Sequence, residues 1–140
     1  MTDRAARWAT KQVGRHGRAV SEVADELGCD WHTVNDAVVT YGEALLGADT
    51  ERVGTVEALG LDKTLFVRLG RFRSQHWCTS IVDVGAWHQV TNGPTEACNN
   101  LIMRIKRIGF GFRRFRHYRV RALLYAGHPN WDRLANTTPR

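Results

Sequence analysis

The chain reads as an α+β protein, a helix-turn-helix head followed by a β-hairpin and C-terminal basic helices, on three observations. From Val20 to Val38 small and apolar residues recur at helical intervals around a glycine. From Glu57 to Val84 two β-rich runs flank a polar, glycine-containing connection. From Ala97 to Trp131 there is no acidic residue, whereas Arg104, Lys106, Arg107, Arg113, Arg114, Arg116, Arg119 and Arg121 all fall there. A chain of 140 residues can form one ordinary domain or two small ones. Two are expected, 1–50 and 51–140, with residues 51–57 joining them and Gly47 and Gly54 loosening either side.

In the first region Val20–Leu27 is expected to be a short helix, Gly28 a left-handed turn, and Asp30 the N-cap of a second helix from Trp31 to about Leu46. Ala24 is small where two helices cross closely, and Val23, Leu27, Val34, Ala37 and Val38 share a core face. In a helix-turn-helix the second helix enters the major groove, so His32, Thr33, Asn35 and Asp36 are the candidates for base contacts. Arg4, Arg7, Lys11, Arg15 and Arg18 lie upstream, where they can grip a flanking backbone. An ordinary helical hairpin is the simpler alternative, and His32 suits a surface position.

In the second region Glu57–Val67 and His76–Val84 are expected to pair as an antiparallel hairpin through Arg68–Arg73, the first strands spanning 56–85. Asp62 interrupts an apolar strand. Such an acid lies at a strand end, accepts hydrogen bonds, or holds a metal. Asp83, near the end of its run, suits a turn. A Glu-bearing helical segment follows over 92–131, opened by the turn Asn92-Gly93-Pro94-Thr95 before Glu96. Thr95 and Asn99 flank Glu96, with a cap the simplest role for Thr95.

The net charge of +6 and the pI near 9.8 fit a polyanionic partner or an acidic surface. In the basic segment, Lys and Arg that neutralise phosphates release counterions, and the interleaved Phe110, Phe112, Phe115 and Tyr118 can pack on sugars and bases. No 18-residue apolar run or signal-peptide core occurs, which points to the cytoplasm and no membrane span. Cys29, Cys78 and Cys98 lack metal-ligand spacing and are expected to be reduced. Trp31, Trp77 and Trp131 are expected as core or cover residues.

These blocks resemble the transposases of bacterial insertion sequences, in particular the group whose helix-turn-helix precedes an RNase H-like catalytic domain of the DDE type. The resemblance rests on Leu59-Gly60-Leu61-Asp62 on the first strand, Asn92-Gly93-Pro94-Thr95-Glu96-Ala97-Cys98-Asn99-Asn100, and Gly109-Phe110-Gly111-Phe112-Arg113. It implies that Asp62 is the first catalytic acid and Glu96 the closing one, both metal ligands. It also implies Mg²⁺ as cofactor and insertion-sequence DNA ends as partner, with Arg104, Lys106, Arg107, Arg113, Arg114 and Arg116 on the DNA. In-line displacement at phosphorus uses two divalent ions about 3.5–4 Å apart, held by carboxylates from separate elements.

The sequence departs from the family between the two blocks, where only 34 positions separate Asp62 from Glu96. Full-length relatives carry further strands, helices and the second catalytic Asp there, so the RNase H-like part is a truncated fragment. Lys63 is a further departure, standing where an acid is common. An internal deletion that leaves the chain DNA-binding but inactive is the expected reading. The alternatives are an active Mg-dependent transposase or nuclease completed by Asp83 or by oligomerisation, a small DNA-binding regulator of transposition, and an RNA-binding arm. Apolar surface at Leu101, Ile102, Ile105 and Leu123–Tyr125 is expected to seek cover through self-association or mixed assembly with an intact transposase.

Overall fold

The computed structural model describes residues 1–52, 54–67, 75–83, 93–109, 112 and 114–139. The expected connection over 68–73, the turn residue Asn92, and Phe110, Gly111 and Arg113 lie outside them. The described elements are helices with a two-stranded antiparallel sheet, an α+β arrangement.

The chain opens with α1 (Asp3–Gly14), a helix outside the expected helix-turn-helix pair. Thr2 caps it, its side chain accepting from the Ala5 N–H at 3.3 Å, and Ala6, Ala9, Thr10 and Val13 form its buried stripe. Helix α2 (Val20–Leu27) ends at Gly28, whose φ of 60° is the left-handed turn expected there. Asp30 caps α3 (Trp31–Ala48), accepting from the His32 N–H at 2.7 Å. Strands β1 (Leu59–Val67) and β2 (His76–Asp83) then pair antiparallel, with Asp62 opposite Ser80 and Leu59 opposite Asp83. Helix α4 (Gly93–Ile108), helix α5 (Phe115–Ala126) and a 3₁₀ turn at Trp131–Asn136 complete the described fold.

The main core crosses the boundary expected at residue 50. Val13, Val23, Val34, Val38 and Leu45 of the first three helices pack with Val120 and Leu124 of α5 and Leu134 of the 3₁₀ turn. Glycines allow this close approach. A Cβ on Gly42 would lie 2.7 Å from Val120 and 2.8 Å from Leu124, and one on Gly14 would lie 2.7 Å from Trp131. Buried Asp49, at the end of α3, accepts from the Asn130 N–H at 2.8 Å, while Arg133 donates to the Ala48 carbonyl at 2.6 Å. These bonds place donors on the electronegative end of α3.

A second apolar layer lies under the hairpin. Ile102 and Ile105 of α4 and Tyr118 of α5 are buried there, and Phe66 of β1 stacks edge-on to Phe115 and at a tilt to Tyr118. The opposite face of the sheet is open, with Leu59, Leu61, Trp77 and Ile81 at 60–65% exposure. This corrects the expectation that Ile102, Ile105 and Leu124 expose apolar surface, because α4 and α5 turn those residues inward. Trp31 and Trp77 are likewise exposed rather than covering residues, whereas Trp131 packs against the core.

Candidate catalytic face and nucleic-acid interface

Strand alternation turns Asp62 toward α4 and turns its neighbours Leu61 and Lys63 away. Its Oδ1 accepts from the Lys63 backbone N–H at 2.7 Å, and its Oδ2 accepts from the amide of Asn99 on α4. Of the fates open to an acid within a strand, hydrogen bonding is the one found. Lys63 acts here through its backbone, and its side chain is exposed.

Helix α4 runs along β1 in the same direction. Asn99 reaches Asp62 and, seven residues on, Lys106 reaches the Leu65 carbonyl beside the irregularity in strand pairing after Leu65. Seven helical residues and three strand residues each cover roughly 10 Å, so the two contacts are in step. Glu96 lies one turn before Asn99 on the same helix face, exposed and without a hydrogen bond or ion pair among the described residues. Asp83 is placed differently. Three residue pairs along the sheet from Asp62, it lies on the opposite face.

Mg²⁺ takes near-octahedral oxygen ligation, commonly from one or two carboxylates with water and substrate oxygens. One buried oxygen beside Asp62 has no partner, Oδ1 of Asn99. Each oxygen of Asp62 accepts one hydrogen bond, and no three His, Cys, Asp or Glu side chains converge among the described residues. The described residues by themselves form no three-ligand site for the expected ion.

The expected DNA-contacting residues differ both in exposure and in the bonds they make: Arg116 is exposed yet ion-paired, and Arg104 is exposed while donating to the Tyr125 hydroxyl at 3.4 Å. His32, Thr33 and Asp36 are exposed on α3. Asn35 is not: it is 3% exposed, with its Nδ2 3.1 Å from Nδ1 of His117 on α5. In this arrangement α5 packs over that part of α3. Arg104, Arg107 and Arg114 are exposed, as is Arg119. Lys106 is taken by the Leu65 carbonyl, and Arg116 is held bidentate by Glu43 at 2.7 and 2.5 Å. The Arg116 contact holds the Glu43 carboxyl below its ordinary range.

Upstream, Arg18 pairs with Glu26 at 2.7 Å. Arg7 donates to the Thr137 carbonyl and lies over Tyr41, whereas Arg4, Lys11 and Arg15 remain exposed. The aromatics of the basic segment mostly serve packing: Phe112 and Tyr118 contact each other, and only Phe115 among the described ones is exposed to half its surface. Arg121 and His117 stand in no sequence motif, and Asn99 stands out there only as a neighbour of Glu96. A usable signal was present, since Arg114, His117 and Arg121 recur at intervals of three and four and share a helix face.

A family model described as a transposase, DDE_Tnp_ISL3, matches residues 51–122. The chain belongs to this transposase family. The match spans the hairpin with Asp62, α4 with Glu96 and Asn99, and most of α5, while α1–α3 precede it. No curated protein and no solved structure matches the chain. Among the described residues, no helix of this transposase-family chain is long and apolar enough to cross a membrane, and its three cysteines are free.

Proposed function

We propose that this member of the transposase family binds DNA and does not by itself carry out metal-dependent strand cleavage. The observation that carries the reading is the state of Asp62, whose two oxygens accept from the Lys63 N–H and the Asn99 amide. Asp83 is the only acid between Asp62 and Glu96 in the sequence, and it belongs to the other sheet face. On this reading residues 51–140 are a catalytic domain with its middle deleted, and 1–50 is its DNA-binding head. Asp62 and Glu96 are inherited catalytic positions that lack the second Asp.

DNA binding is supported by the exposed Arg104, Arg107, Arg114 and Arg119 in a segment without acids, and by Arg4, Lys11 and Arg15 on α1. His32, Thr33 and Asp36 are the groups that α3 offers to a groove. Insertion-sequence ends are the expected target. The open face of Leu59, Leu61, Trp77 and Ile81 favours a second reading, a regulator that assembles with an intact transposase.

The test is a salt-titrated binding assay on DNA flanking the gene's locus and on a scrambled duplex, with Mg²⁺ present and cleavage products resolved. Preference for the flanking DNA without cleavage is expected. Specific cleavage abolished by Asp62→Ala and Glu96→Ala would overturn the inactive reading, and absence of binding at any salt would overturn the DNA-binding one.

A further inference from the structure

Helices α3 and α5 border a cleft of about 830 Å³, a volume in the range of small-molecule sites. Its walls include Trp31 and Asn35 from α3, Phe112 from the segment before α5, Arg114 at the N-terminal boundary of α5, and His117 and Arg121 from α5.

Arg121 is the residue in this wall that the fold leaves without compensation. It is 5% exposed, its Nε is buried without a hydrogen-bond partner, and no carboxylate pairs with it among the described residues. Its guanidinium carbon lies 5.3 Å from the centroid of the Phe112 ring. A cation–π contact recovers only part of the hydration that a guanidinium loses on burial. Burial holds its pKa down to about 10, which still leaves it charged at neutral pH. A buried cation without a counter-charge, in the wall of a cleft, is an acceptor site for an anion.

The remaining wall specifies the kind of anion. Arg114 adds a second guanidinium, against one carboxylate, the exposed Asp36. His117 sits beside them, its pKa lowered by burial and then by Arg114, so its ring is neutral at pH 7 and adds no charge. Guanidinium forks match the oxygen spacing of phosphate, and Trp31 and Phe112 supply flat apolar faces next to it. We propose that this cleft is a phosphate-binding site in which Arg121, with Arg114 seven residues before it on the same wall, takes one phosphate group of a nucleotide or of a nucleic-acid backbone. The site does not use Asp62 or Glu96. Its occupant joins α3 to α5, so binding stabilises the fold by mass action.

The test is thermal unfolding of the full chain at matched ionic strength in chloride, in inorganic phosphate and in dAMP. The variants are Arg121→Met, which keeps an apolar stem of similar length, and Arg114→Gln at an exposed position. Phosphate and dAMP are expected to raise the wild-type Tm above its value in chloride. Arg121→Met is expected to lose that increment, and Arg114→Gln to weaken affinity about tenfold, the effect of one charge-assisted hydrogen bond.

A wild-type Tm no higher in phosphate and dAMP than in chloride overturns the proposal, as does a full response in both variants. Should Arg121→Met fold poorly, Arg114→Gln decides the matter alone. A salt titration on duplex DNA separates the sources. A salt slope reduced by about one unit in the variants assigns a backbone phosphate, and an unchanged slope with a lost dAMP response assigns a free nucleotide; both outcomes support the site. The phosphate arm contains no DNA, so its failure is distinguishable from failure of the DNA-binding reading.

Discussion

Asn35 of α3 and His117 of α5 meet side chain to side chain, the Asn35 Nδ2 lying 3.1 Å from His117 Nδ1. When the Asn35 amide is the donor, Nδ1 carries no proton and the imidazole is neutral. Burial favours the same form and, with Arg114, lowers the His117 pKa from its ordinary 6.5. The contact ties α3 to α5 and removes Asn35 from the surface that α3 offers to DNA.

The pH dependence follows from that lowered value. Below pH 6.5 the unfolded chain takes up a proton that the folded chain resists, so stability falls as pH drops toward the lowered folded pKa and is level above 6.5. Glu43, lowered by Arg116, contributes stability above its ordinary 4.5 that is lost at still lower pH. Thermal unfolding followed from pH 7 to about pH 5 should show a declining Tm, with a shallower slope in His117→Gln. Equal slopes in the two proteins would refute the assignment to His117.

The Asp62–Asn99 contact predicts a stability effect at the catalytic face. Asn99→Ala removes the side-chain donor to Oδ2 of Asp62 and should cost about 1–2 kcal/mol in urea unfolding. An unchanged midpoint would mean that the amide does not hold the carboxylate.

The close crossing of α3 and α5 predicts opposite packing errors with the same sign. Leu124→Ala empties a fully buried position and should cost about 2–5 kcal/mol. Gly42→Ala adds a carbon within 2.8 Å of Val120 and Leu124 and should cost about 1–3 kcal/mol by overpacking. Calorimetric or denaturant unfolding measures both; a neutral Gly42→Ala would show that α5 can move outward.

The open sheet face predicts the reverse behaviour. Leu61 and Ile81, at 64% and 65% exposure, face each other across the strands. Replacing both by Thr should change stability by no more than about 0.5 kcal/mol per site, while lowering retention on a hydrophobic column. A large loss of Tm would show that this face is covered in solution.

Among the basic residues, Arg104 and Arg107 are expected on DNA and Lys106 is not. Arg104→Gln with Arg107→Gln should reduce the salt slope of DNA binding by about 0.9 for each phosphate left un-neutralised. Lys106→Gln should leave the slope unchanged and lower the Tm, since its ammonium serves the Leu65 carbonyl. The opposite pattern would assign Lys106 to DNA.

Local rules carried much of the fold. Gly28, Asp30 and the spacing of Val23, Val34 and Val38 specify the helix, turn and second helix, because capping and left-handed turns depend on residues a few positions apart. Alternating β-rich runs specified the hairpin for the same reason. Asp62 and Glu96 were singled out by their sequence blocks. Helix α1 is legible in its Ala6, Ala9 and Val13 stripe, which its interspersed Arg4, Arg7 and Lys11 obscure.

Composition and sequence pattern thus determined the α+β class, the basic character and the resemblance to transposases, all properties of neighbouring residues or of totals. Only the tertiary structure decided that Asn35, Lys106 and Arg116 are engaged, that Asp83 and Asp62 face opposite ways, and that Arg121 stands unpaired in a cleft. Each of these depends on which helix covers which face. That choice is made by contacts between residues far apart in the chain, here α5 packed on α3 and α4 laid along β1.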